Sequence, residues 1–201
     1  RKYGEMDKGR TYVLFGAAIV GSLTYTFTDS AWYSAVEGEV YAMSSLFTSI
    51  AFWAILKWER EIERSTKAHR WLVFIAFMIG LSIGVHILVF LAIPAIVMVY
   101  FFKRKDKIDR PRFIIYNLIG IAVLGAIFAL IIPLVLKMFG QLEIFMVNSL
   151  GLPFNSGTIF TVLLLGGLCA FGLIYTRRKA TPIWNTLILS FIFIILGYST
   201  F

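Results

Sequence analysis

The sequence predicts an all-α membrane protein, a polytopic bundle of about seven membrane helical segments with one short hairpin among them. Three observations carry this expectation. Of 201 residues, 59% are hydrophobic and only 15% charged, with a mean hydropathy of +0.83, too apolar for a chain whose whole surface meets water. The apolar residues are gathered into six long runs. The lysines and arginines fall almost entirely on one side when one of those runs is folded back on itself.

The opening stretch, RKYGEMDKGR, has no initiator methionine and lacks the charged, apolar and small-residue regions of a signal peptide. The natural chain is therefore expected to extend upstream. The runs that follow are Thr11 to Phe27, Val40 to Trp58, Trp71 to Phe102, Phe113 to Leu136, Thr158 to Tyr175 and Ile183 to Phe201. Five have the length of one crossing of a hydrocarbon core about 30 Å thick. Residues 1–201 read as a single transmembrane domain.

The third run has 32 residues without a formal charge, about 48 Å as one helix, too long for a simple crossing. Basic residues decide its path. If it turns back at GLSIGVH, Gly80 to His86, segments 1–10, 57–70, 103–112 and 177–179 share a side and hold 18 of the 19 lysines and arginines, leaving only Lys137 opposite. A single crossing would divide them 10 against 9, which no orientation rule produces. The hairpin is therefore expected, with the basic side cytoplasmic. Each arm, about 22 Å long, is short of a full crossing, so the tip should line a cavity in the outer half of the membrane. The net charge of +8 is then topological, and no nucleic-acid partner is implied.

Pro94 and Pro133 lie within apolar runs and read as local kinks. KWEREIERSTKAHR alternates charge at helical spacing and reads as an extension of the preceding helix into water. KRKDKIDRPR reads mainly as a topology signal. The outer segment KMFGQLEIFMVNSLGLPFNSG mixes Phe139, Leu142, Phe145 and Met146 with Gln141, Glu143 and Asn148, a pattern suited to a helix lying in the interface. Asn148, Asn155 and Ser156 suit turn formation better than ligand contact.

Seven of the eleven carboxylates stand near basic residues on the cytoplasmic side, whereas Asp29, Glu37, Glu39 and Glu143 do not. Three of these four fall in TDSAWYSAVEGEVYAMSS, Thr28 to Ser45, among Trp32, Tyr33 and Tyr41. Ser34 to Glu37 fits a capping box, and Asp29 or Ser30 could cap an earlier start. Glu39 has no such structural explanation. On a helix, Tyr33, Glu37, Tyr41 and Ser44 or Ser45 would share a stripe and set an acid between two phenols where a sugar could be held. An interfacial aromatic belt explains the aromatics equally well. His86, at the hairpin tip, is an ionisable group within the membrane and so a functional candidate, although a hydrogen-bonded structural role competes with it. Cys169 is the only cysteine and lies in an apolar run, which leaves neither a disulfide framework nor a CxxC site. HExxH, Walker and GxSxG motifs are absent from the sequence.

AWYSAVEGEVYAMSSLF, followed by a charged loop and GLSIGVHILVFLAIPA, resembles the bacterial family catalogued as domain of unknown function 2723. That family is similar to transmembrane protein O-mannosyltransferases and to the wider GT-C glycosyltransferases. The resemblance spans most of the chain, and SAVEGEVY is its most specific part. It implies a GT-C-like enzyme of the bacterial inner membrane, multi-pass and with its N-terminal end cytoplasmic, that moves a sugar from a polyprenyl-phosphate donor to an extracytoplasmic acceptor, a protein. In such enzymes a carboxylate acts as general base and cations or a divalent metal stabilise the leaving phosphate.

By position, Glu37 and Glu39 match the family's acidic pair and are the catalytic candidates. Asp29, Trp32, Tyr33, Tyr41, His86 and Asn148 are the substrate-binding candidates, and the metal site is unassigned. The family's first outer loop, with its Asp-Ser-Gly-Glu-Phe type motif, and its frequent outer soluble domain have no counterpart in residues 1–201. The alternatives are a transporter or lipid flippase with its site at a broken hairpin, and a non-catalytic membrane assembly subunit.

Overall fold

Helices make up the structure, a computed structural model that describes residues 7–38, 40–104 and 109–200. No strand forms among the described residues. Helix α1 spans Lys8–Thr26, α2 Asp29–Val36, α3 Tyr41–Glu61, α4 Arg70–Ile83, α5 Ala92–Arg104, α6 Arg110–Ala126, α7 Ile132–Ile144, α8 Ser156–Arg178 and α9 Pro182–Tyr198. Short 3-10 turns at Thr66–His69 and Ile87–Leu91 lead into α4 and α5.

The chain does reverse after α4. Trp53 meets Trp71 edge-on at 5.3 Å, and Tyr41 meets His86 at 5.7 Å, so α4 runs antiparallel to α3 along its whole length. α5 begins just beyond His86 yet packs along α3, which requires it to turn back. Ala51, Ala54 and Ile55 of α3 are buried with Ile75 and Ile79 of α4 and with Val89, Phe90 and Ala92. The small alanines let both arms approach α3 closely.

α6 then returns antiparallel to α5. Phe90 faces Phe128 and Phe102 faces Phe113, while Phe101 stacks flat on Tyr116 with centroids 4.0 Å apart. Asp109 caps α6 by accepting the Arg112 amide at 3.1 Å. α9 packs most extensively on α4 and runs parallel to it. Gly80 and Gly197 make that contact possible: a side chain at Gly80 would strike the Ile194 carbonyl, and one at Gly197 the backbone at Phe77. Glycine permits the backbones to touch, the usual device where helices meet in lipid.

Residues 110–149 form one helical stretch of 40 residues, about 60 Å long. The expectation of a separate interfacial helix after Lys137 is corrected here, because α7 simply continues the apolar segment. It is interrupted by two π-helical turns, Phe145–Ser149 at its end and Ile127–Ile131, which stops two residues before Pro133. Proline removes an amide donor and crowds the carbonyl four residues back, and the wider turn accommodates both. The charged extension after Trp58 is likewise shorter than expected, since α3 ends at Glu61.

Two stretches, Arg110–Ser149 and Ser156–Arg178, are long and apolar enough to cross a membrane, and a third counts if α1 and α2, bent by 58°, are one span. α4, α5 and α9 are apolar but shorter. The outward residues of the long stretches are large and apolar: Leu163 is 70% exposed and Phe171 67%. Such surface is stable only against lipid or a further apolar partner. The protein is a helical membrane protein.

The helix directions sort the chain into two ends. One, the basic end, gathers the α3–α4 and α8–α9 connections, whose residues line a common groove. The other, here called the mouth, gathers the α2–α3 connection, the turn at His86 and the end of α9, through the Tyr41–His86 contact and the packing of Gly197 on α4.

Candidate functional site

At the mouth, Thr28 starts α2 rather than Asp29, Ser30 or Ser34. Its side-chain oxygen accepts the Ala31 amide at 3.4 Å, and its hydroxyl donates to the Tyr25 carbonyl at 2.8 Å. Asp29 is the first helical residue and exposed, a favourable place for a negative charge. The capping box at Ser34 to Glu37 does not form. Glu37 instead closes the helix, its amide donating to the Tyr33 carbonyl at 3.0 Å. Gly38 follows at φ +67°, the left-handed geometry that ends helices and favours glycine.

This break also corrects the expected stripe. Tyr33 and Glu37 belong to α2 and Tyr41 and Ser44 to α3, so they do not share one continuous helix face. Glu37 is left exposed at a helix C-terminus, where the peptide dipoles disfavour a carboxylate. Glu39 lies outside the described residues. Trp32, Tyr33 and Tyr41 are 61%, 60% and 48% exposed, so the aromatics face outward around the acid.

Of these candidates Trp32 lines a groove of about 490 Å³ between the end of α1, α2 and the start of α3. Ser34, Ser45 and Ser49 share its wall with Tyr25 and Thr26, a hydroxyl-rich lining beside a large flat ring. Ser34 was expected as a helix cap and Ser45 as part of the Tyr33 stripe, whereas Ser49 was not singled out in the sequence; Ser49 donates to the Ser45 carbonyl at 2.8 Å. A spacing of four residues on the groove side of α3 was the available signal.

His86 is held firmly. Its amide donates to the Ser82 carbonyl at 2.6 Å, its own carbonyl accepts the Ser82 hydroxyl at 2.7 Å, and Nδ1 accepts the Leu88 amide at 3.3 Å. Capping the next turn through Nδ1 leaves Nε2 for another partner. One turn below Tyr41, the fully buried Ser44 has a hydroxyl with no hydrogen-bond partner, a costly arrangement in a low-dielectric interior.

Glu143 and Asn148 lie apart from these residues, on α7 and the turn that follows it. Glu143 Oε1 accepts the Asn155 amide at 2.6 Å, and Oε2 accepts the Thr158 amide at 2.8 Å and hydroxyl at 3.2 Å. It therefore caps α8 from the neighbouring α7, past the apolar part of its own helix. Asn155 enters α8 at φ 71°, a conformation asparagine tolerates. Asn148 is exposed in a π-helical turn that packs on α7 and α8. Among the described residues, no three His, Cys, Asp or Glu side chains converge as a metal site would require.

Residues 1–109 match the family model described as the protein O-mannosyl-transferase TMEM260 N-terminal domain. The chain belongs to this family. The match covers more than half of the sequence and takes in the whole α2–α3 mouth, the turn at His86 and all of α5. No curated protein and no solved structure matches the chain. The link to the O-mannosyltransferases, expected from SAVEGEVY and GLSIGVH, therefore stands on the family match.

Proposed function

We propose that residues 1–201 are the membrane portion of a glycosyltransferase that moves a sugar, mannose in keeping with the family's description, from a polyprenyl-phosphate donor to an extracytoplasmic protein. The observation that carries this reading is the family match over residues 1–109. The full architecture in this reading is GT-C-like, with seven segments in a bacterial inner membrane, the basic end cytoplasmic and the mouth outside.

The acceptor hydroxyl attacks the anomeric carbon as the bond to the donor phosphate breaks, and its proton passes to a carboxylate. Glu37 or Glu39 is that base. The exposed, dipole-disfavoured position of Glu37 supports this assignment, since a carboxylate there gains nothing structural. His86, through Nε2, faces the departing phosphate. Trp32, Tyr33 and Tyr41 present ring faces to the sugar, and Asp29 and Asn148 offer polar contacts at the rim.

The test replaces both glutamates, Glu37→Gln and Glu39→Gln, in the full-length protein. Loss of protein O-mannosylation with unchanged membrane abundance is expected. Glycosylation at the wild-type level in that variant overturns the assignment of the two acids.

A further inference from the structure

We propose that a second groove, at the basic end of the bundle and remote from the mouth, binds an anionic phospholipid by its headgroup. The groove has a volume of about 810 Å³ and lies between the Thr66–His69 turn, the start of α4 and the α8–α9 connection. This is within the range of built ligand sites. Lys67, Arg70 and Arg177 line it at the polar end, and Val73, Leu189 and Phe193 line it along the helices. Cations at one end and apolar walls at the other complement an amphiphile with a negative head.

Two details strengthen the charge argument. Arg70 is shared with Glu61, at 3.1 Å, whereas among the described residues no carboxylate lies within ion-pair distance of Lys67 or Arg177. His69 also lines the groove, and its Nδ1 is buried with no hydrogen-bond partner. The far wall is held in shape, because Asn185 Nδ2 donates to Thr176 Oγ1 at 3.1 Å and ties the α8–α9 connection together.

The occupant is a lipid rather than a free anion because of the apolar walls. Inorganic phosphate would satisfy the cations but leave Val73, Leu189 and Phe193 facing water, whereas acyl chains cover them. Segments 57–70 and 177–179, which border the groove, carry 8 of the 19 lysines and arginines, a charge that draws anionic headgroups.

The purified full-length protein is placed in nanodiscs of phosphatidylcholine containing increasing phosphatidylglycerol, and lipid retained after mild extraction is counted by native mass spectrometry. Wild type is expected to retain one phosphatidylglycerol in preference to phosphatidylcholine. The double variant Lys67→Ala with Arg177→Ala should weaken that retention roughly tenfold or more, with Lys67→Arg with Arg177→Lys close to wild type. As a reading independent of any variant, phosphatidylglycerol with brominated chains should quench wild-type tryptophan emission more than brominated phosphatidylcholine at equal mole fraction. Equal retention of the two lipids, retention unchanged by the alanine pair, equal quenching, or complete displacement by millimolar inorganic phosphate overturns the proposal.

Discussion

Tyr41, at the first position of α3, lies with its ring 5.7 Å from the imidazole of His86, at the turn between α4 and α5. This contact brings the acidic stretch and the reversal of the third apolar run to the same end of the bundle. It joins the two sequence features that had pointed separately to function.

Replacing His86 separates its two roles. His86→Ala removes both the Tyr41 contact and the acceptor for the Leu88 amide, and is expected to cost about 1 kcal/mol of stability and most of the transfer activity. His86→Asn retains a capping acceptor. It should recover thermal stability but not transfer; recovery of both would make the histidine purely structural.

Glu143→Ala leaves the Asn155 and Thr158 amides without their acceptor. Faster hydrogen exchange is expected at residues 155–158, with little change around Tyr41.

Gly80→Ala places a methyl group against the Ile194 carbonyl. Overpacking of a rigid helix contact costs about 1–3 kcal/mol, so chemical denaturation should show a clear loss. Gly125→Ala, where nothing lies within 4 Å, is the matched control and should be neutral or slightly stabilising.

Gly38→Ala forces a side chain into the left-handed region, at a cost of about 1–2 kcal/mol. Because the strain falls between α2 and α3, loss of transfer should exceed the loss of global stability. Equal loss of both would argue that the α2–α3 connection has no special part in the reaction.

Much of the architecture was legible in order of residues. Uncharged runs specified most of the helices, and the one-sided distribution of lysines and arginines located the reversal within Gly80 to His86, because charge is costly to carry across lipid; the structure sets it after Ile83. Local capping was less legible. Ser34 and Glu37 have the spacing of a capping box, yet Thr28 starts the helix and Gly38 ends it. The same four residues are compatible with both starts, and only the surrounding chain selects one. The polar residues after Lys137 suggested an interfacial helix, but the helical backbone has no reason to stop where its side chains become polar.

The sequence by itself determined a helical membrane protein, the two chemically distinct ends of the bundle and membership of an O-mannosyltransferase family. The first follows from composition and the length of the apolar runs, the second from the distribution of lysines and arginines, and the third from the family match over residues 1–109. Tertiary structure decided which side chains meet: Tyr41 with His86, Glu143 with the start of α8, and Lys67 with Arg177 around one groove. Such pairings depend on helix rotation and register, set by the close backbone contacts at Gly80, Gly197 and Gly120, and apolar periodicity leaves both nearly free.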